Sequence, residues 1–148
     1  MSRPENFSAL FFGFFSKIII VFHHKPPKIF VIEDNLFYQN LILKTLESVS
    51  GDIHSYTSGE NCLDEMHKNP SIIIIDYMLE GKMNGLDAIK KIRQINSSAL
   101  IILFSTEQEL LTRKNLSDYG EFEILEKSVY TFPLLKQLVD KYPVSIAC

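Results

Sequence analysis

The chain has 148 residues, 46% of them hydrophobic and 22% charged, with 6 glycines, 6 prolines and only 2 cysteines, Cys62 and Cys148. That balance suits one compact domain and excludes a disordered or collagen-like chain, two independent catalytic domains, a disulfide framework and a cysteine-based zinc site. The net charge of −3 is uneven: Arg3, Lys17 and Lys25 against Glu5 give residues 1–27 a balance of +2, leaving −5 on a main body with no basic surface for direct nucleic-acid binding.

Residues 7–22 read FSALFFGFFSKIIIVF, nearly all apolar but interrupted by Lys17, and His23-His24-Lys25-Pro26-Pro27 follow. The run falls short of the about 20 apolar residues that a membrane span needs, and no small-x-small cleavage site precedes the proline pair. Membrane contact by residues 7–22 is therefore the less favoured reading. An extra packed helix, or an extension without a role, is preferred, with Pro26-Pro27 as a stiff spacer. Residues 1–27 are expected to form an apolar N-terminal extension.

Beyond the spacer, strand-like and helix-like runs alternate. Lys28 to Ile32 is a short buried-strand run; Leu36 to Val49 places Leu36, Asn40, Leu43, Leu46 and their neighbours at helical spacing, stopped by Ser50-Gly51. Ile53 to Thr57 is a weaker strand, and Ser58 caps a helix through His67 that Asn69-Pro70 ends. Ile72 to Ile75 is continuously β-branched, which predicts a central strand covered on both faces and ending at Asp76. Leu86 to Ile95 is an amphipathic helix with Leu86, Ile89, Ile92 and Ile95 on one face. Leu100 to Phe104 is a strand, about Glu107 to Leu116 a helix, Phe122 to Leu125 a strand and Tyr130 to Lys141 a last helix. Five βα repeats imply a parallel sheet with helices on both faces, closed as a doubly wound three-layer α/β sandwich.

In such sheets the ligand site lies at the carboxyl ends of the strands. Those ends carry Glu33-Asp34, Asp76, Ser105-Thr106 and Lys127. Each alone has an ordinary explanation as a helix cap, a turn residue or a solvated surface group. Together they form a set of hard oxygen donors without His or Cys, which favours Mg²⁺ over zinc.

These residues resemble the receiver domain of two-component response regulators over roughly Lys28 to Lys141. The motifs are Glu33-Asp34-Asn35; Asp76 with Met78-Leu79 and Met83-Asn84-Gly85; Ser105-Thr106-Glu107; and Lys127. The resemblance implies the flavodoxin-like strand order 2-1-3-4-5 and a receiver domain over residues 28–148. It implies Asp76 as the acceptor of a phosphoryl group from a phosphohistidine. Mg²⁺ would be held by Glu33, Asp34, Asp76 and the backbone carbonyl of Met78, with Asp34 and Asp76 giving direct oxygens and Glu33 acting mainly through water. Ser105 and Lys127 would bind the phosphoryl oxygens, and Ser105 would act in the switch together with the position of Ile124.

The chain departs from the family pattern in four places, the first being Leu79-Glu80 where the loop after Asp76 commonly has a proline. Lys82 is an apparent insertion before Gly85, Ser128 follows Lys127 where a proline is usual, and Ile124 stands where an aromatic switch residue is usual. A cis bond without proline costs about 2.5–4 kcal/mol, so Lys127-Ser128 is expected to be trans, with the flexible lysine still reaching Asp76. The favoured function is a stand-alone phosphoacceptor in a phosphorelay, without separate substrate turnover. Its phosphorylation would shift the face formed by the fourth helix, fifth strand and fifth helix. The alternative is a receiver-like protein-binding module that does not use phosphorylation. A flavodoxin-like cofactor binder is disfavoured, because Asp34 would repel a cofactor phosphate where a Gly-rich loop should follow the first strand. The expected partners are a histidine kinase or phosphotransfer protein, docking near Leu36, Phe37 and Tyr38, and a downstream protein target that supplies the output. The expected compartment is the reducing cytoplasm.

Overall fold

A computed structural model describes residues 25–106 and 115–142. Five strands, β1 (Lys28–Ile32), β2 (Asp52–Tyr56), β3 (Ile72–Ile75), β4 (Leu100–Ser105) and β5 (Glu123–Glu126), form one sheet of order β2-β1-β3-β4-β5. Every pairing is parallel, and Ile29, Ile72 and Leu100 stand side by side across β1, β3 and β4. The described helices are α1 (Leu36–Leu46), α2 (Gly59–Asp64), α3 (Gly85–Ile95) and α4 (Phe132–Lys141).

Strand side chains alternate between two cores, as the period of two requires. Phe30, Ile32, Ile73, Ile75, Ile101 and Leu103 face Cys62 of α2 and Leu86, Ala88, Ile89 and Ile92 of α3. Ile29, Val31, Ile72, Ile74, Ile102 and Phe104 face Ile42 and Leu46 of α1 and Leu135 and Val139 of α4. All four isoleucines of β3 are buried, so the uninterrupted β-branched run is the middle of the sandwich. At roughly 1.5–3 kcal/mol for each large side chain removed from water, these two layers dominate the stability.

Several boundaries differ from the sequence expectations for local reasons. Helix α1 ends at Leu46 rather than Val49, where Val49 N–H turns back onto the Leu46 carbonyl. Its buried positions are Gln39, Ile42 and Leu46, so Leu36 and Asn40 face solvent instead. The helix that Ser58 caps stops at Asp64 and gives way to a 3₁₀ turn at Met66–Lys68, after which Asn69 is left-handed at φ 53°. Pro70 disfavours the α region for its predecessor, and asparagine tolerates the left-handed one. Ile95 of α3 is exposed rather than part of its apolar face. Strand β5 begins at Glu123, and α4 begins at Phe132 with Pro133 in its first turn, leaving Val129 and Tyr130 in an exposed turn. Of the expected helix from Glu107 to Leu116, residues 107–114 lie outside the described residues, and Leu116 opens a 3₁₀ turn to Tyr119. The apolar run 7–22 also lies outside them. Among the described residues no helix is long and apolar enough to cross a membrane.

Candidate functional site

The carboxyl ends of β1 and β3 are adjacent, so their last residues meet. Asp76 N–H donates to the Ile32 carbonyl at 3.0 Å, and Glu33 N–H donates to the Tyr56 carbonyl at 3.0 Å. This places Glu33, Asp34 and Asp76 together: each offers one carboxylate oxygen, and these oxygens lie within 4.8 Å of one another. Glu33 and Asp76 are buried, whereas Asp34 is half-buried at the rim.

Lys127 follows β5 and is fixed at its backbone, where its N–H donates to the Ser105 carbonyl at 2.8 Å. Its peptide to Ser128 is trans, since no cis bond occurs among the described residues. The side chain is only 3% exposed, and Nζ lies 2.7 Å from Asp76 Oδ2 and in a shorter ion pair with Glu33 Oε2. One ammonium thus compensates two buried carboxylates. Burial is the main cause that holds the Glu33 carboxyl above its usual range; the Lys127 hydrogen bond opposes this, and the nearby Asp76 charge reinforces it. Asp76 Oδ1 is buried and has no hydrogen-bond partner among the described residues. A buried carboxylate oxygen without a donor is costly, and a cation relieves that cost. Three clustered oxygen donors with one buried oxygen still free fit a hard divalent ion such as Mg²⁺.

The other expected residues lie on neighbouring elements. Met78 lies two residues beyond Asp76 in the β3–α3 loop with its side chain exposed. Ser105 is the last residue of β4 and is buried. Ile124 is half-buried on β5, paired in register with Leu103 and so set back from the strand end. Leu36 and Phe37 are exposed at the start of α1 beside the site.

The extra residue in the β3–α3 loop is absorbed by two carboxylates. Asp34 Oδ2 accepts from Glu80 N–H at 3.2 Å, and Glu60 Oε1 of α2 accepts from Lys82 N–H at 2.9 Å. Between them Gly81 adopts φ +122°, which a side chain would strain. The loop closes at Gly85, whose N–H donates to the Tyr77 carbonyl at 2.8 Å; a Cβ there would lie 2.1 Å from the Asp76 carbonyl oxygen. Gly85 is therefore the residue that lets α3 start directly behind Asp76.

Sequence reasoning missed three contributors. Gln39 is buried and donates through Nε2 to the Glu33 carbonyl at 2.9 Å, tying α1 to the end of β1. Glu60 holds the loop as just described. Tyr38, expected only as a docking residue, has the Lys127 ammonium 4.5 Å from its ring centroid. A polar residue at i−3 from Ile42 was the available signal for Gln39; Glu60 and Tyr38 carry none, because their partners are remote in sequence. Cys62 is excluded as a nucleophile, since burial pushes its thiol up to about 12.

A five-stranded parallel sandwich with acidic residues and a lysine at its carboxyl edge is a doubly wound α/β domain whose polar groups gather where such sheets bind ligands. Comparison with known proteins narrows it. The response regulator receiver domain family matches residues 29–140, and the chain belongs to that family. It is 29% identical over 110 residues to a protein-glutamate methylesterase/protein-glutamine glutaminase 2 of Paramagnetospirillum magneticum, covering 71% of this chain and 31% of that protein. It is 28% identical over 83 residues to the transcriptional regulatory protein CpxR of Escherichia coli, covering 56% of this chain and 35% of that one. The chain thus spans about a third of the length of these curated relatives. Among solved structures, a BeF₃-activated DrrB receiver domain matches with a TM-score of 0.69 at 17% identity, covering 79% of this chain and 97% of that one. Chemotaxis protein CheY4 of Vibrio cholerae matches with a TM-score of 0.67 at 20% identity, covering 77% and 97%. The chain is a receiver domain of two-component signalling, a phosphoacceptor class that binds Mg²⁺ at an acidic cluster.

Proposed function

We propose that Asp76 accepts a phosphoryl group from a phosphohistidine of a histidine kinase or phosphotransfer protein, and that the chain signals through a protein target. The observation that carries this reading is the Asp76 carboxylate itself: one oxygen is neutralised by Lys127 at 2.7 Å and the other is buried without a partner among the described residues. The attacking Asp76 oxygen forms the new P–O bond as the P–N bond of the phosphohistidine breaks, and the imidazole leaves with the electron pair. Lys127 and Ser105 then face the phosphoryl oxygens, and Lys127 offsets the charge gathered around Asp76. Asp34, Asp76 and the Met78 carbonyl would hold Mg²⁺ directly and Glu33 mainly through water; when bound, the ion neutralises phosphoryl charge.

The receiver occupies residues 28–148 in this reading and turns over no separate substrate. Leu36 and Phe37, exposed next to Glu33 and Asp34, form the docking edge for the phosphodonor protein. Ser105 and Ile124 occupy the switch positions, with an aliphatic side chain where the ring rotation of an aromatic would otherwise report phosphorylation. The reduced, buried Cys62 suits a cytoplasmic setting.

The test is incubation with Mg²⁺ and a small acyl-phosphate donor, followed by intact mass measurement. The expected result is one added phosphoryl group on the wild-type chain and none on Asp76→Asn. A wild-type chain that binds Mg²⁺ yet stays unmodified with several donors would replace this reading with the binding-module alternative.

A further inference from the structure

We propose that Tyr38 is a positioning residue for Lys127, its ring face closing the third side of the ammonium and holding Nζ between Glu33 and Asp76. The inference rests on the phosphoacceptor reading and adds to it a residue of α1 that is not among those expected to accept the phosphoryl group or to hold the metal.

A primary ammonium carries three N–H donors, and at 3% exposure Lys127 cannot rely on bulk water for any of them. Asp76 Oδ2 accepts from one, and Glu33 Oε2 lies in ion-pair contact with the ammonium. The Tyr38 ring, 4.5 Å from Nζ at its centroid, meets the ammonium where a third partner is needed. An aromatic face attracts a cation through its quadrupole, most strongly when both are desolvated. It also makes little directional demand, so Nζ can follow the oxygens of an arriving phosphoryl group while water stays excluded.

The ring is itself held from two sides. Asn35 caps α1 by accepting from Phe37 N–H at 3.0 Å and from Tyr38 N–H at 3.3 Å, which fixes the first turn directly after Glu33-Asp34. Phe37 then stacks edge-to-face on Tyr38 with centroids 5.5 Å apart. The exposed Phe37 thereby connects the outer docking edge to the lysine through one ring.

The experiment measures the rate of Asp76 phosphorylation by a small acyl phosphate in Mg²⁺, together with the ¹H–¹⁵N resonance of the Lys127 ammonium, visible only where exchange with water is slow. Tyr38→Leu is expected to slow phosphorylation roughly five- to tenfold and to lose the resonance, with Tyr38→Phe restoring both. Phenylalanines carrying successive ring fluorines at position 38 keep the shape while draining the ring face, and should lower the rate stepwise. This series decides the matter even where Tyr38→Leu fails to fold. A Tyr38→Leu chain with wild-type rate and an intact resonance, or a flat response to fluorination, overturns the proposal. A wild-type chain that takes no phosphoryl group on Asp76 instead overturns the phosphoacceptor reading, and the ammonium resonance across the same series then decides the role of Tyr38 alone.

Discussion

Asn96 and Asp76 are buried polar side chains at opposite edges of the same sheet, 9% and 8% exposed, and they are treated in opposite ways. At the amino edge Asn96 is saturated: Nδ2 donates to the Pro70 carbonyl at 2.9 Å and to Asn69 Oδ1 at 3.3 Å, while Oδ1 accepts from Ser98 N–H and Ala99 N–H. Arg93 adds a guanidinium that donates to the carbonyls of Ser97, Ala99 and Glu121. At the carboxyl edge charge meets charge, and Asp76 Oδ1 has no hydrogen-bond partner among the described residues. Side chains that tie loops to backbone carbonyls and amides give stability. A buried carboxylate oxygen without a donor gives a place where a cation or phosphoryl group can be met, at a cost in stability that the hydrogen bonds of Asn96 help to cover.

The strongest way to break this contrast is Lys127→Met. Removing the cation paired with both Glu33 and Asp76 leaves two buried carboxylates without it, and the expected loss is about 3–5 kcal/mol at neutral pH, read from urea unfolding without metal. Asn96→Leu should cost about 2–3 kcal/mol by orphaning buried backbone groups, yet leave Asp76 phosphorylation within about twofold. A large loss of phosphorylation in that variant would mean that the two edges are not independent.

Mg²⁺ sharpens the comparison from the other side. An ion that binds only the folded cluster should raise stability by about 1.4 kcal/mol at ten times its dissociation constant, measured as a rise in thermal midpoint. Asp34→Ala should abolish that rise and Asn96→Leu should keep it. An equal rise in Asp34→Ala would remove Asp34 from the metal site.

The smallest expected effect is on pH dependence. Glu33 has a folded-state pKa above its ordinary value of 4.5, so the folded state binds more protons there than the unfolded one. Stability without metal should therefore fall as pH rises through the window above 4.5, and the loss is complete once pH passes the raised folded value. Glu33→Gln should flatten that slope. The amide of Asn96 does not titrate in this range, so Asn96→Leu should shift the whole curve without changing its shape.

How much of this was legible in the chain depends on the range of the physics involved. The alternation of β-branched runs with amphipathic ones placed all five strands to within a residue or two, because strand patterning is a local property. Residues that end strands are local too, so Glu33, Asp34, Asp76, Ser105 and Lys127 could be named as one edge once a parallel sheet was inferred. Gly85 could be read as part of a motif, although its reason is a 2.1 Å approach to the Asp76 carbonyl oxygen.

Tertiary packing decided the rest. Which face of α1 turns inward depends on what the sheet presents to it, and Gln39 is buried in place of Asn40 because the Glu33 carbonyl is there to accept its amide. Ile95 looks like a core residue by spacing but is the last residue of α3 and stays exposed. The lengthened β3–α3 loop announced itself only as an extra residue; Glu60 of α2 settled its course. The Tyr38 ring over Lys127 joins α1 to the end of β5, and no periodicity or motif within either segment carries it. By itself the sequence determined the order of strands and helices and the chemistry available at the strand ends. Only the folded sheet, which brings distant segments within a few ångströms, decided which of those groups pair and which oxygen is left free.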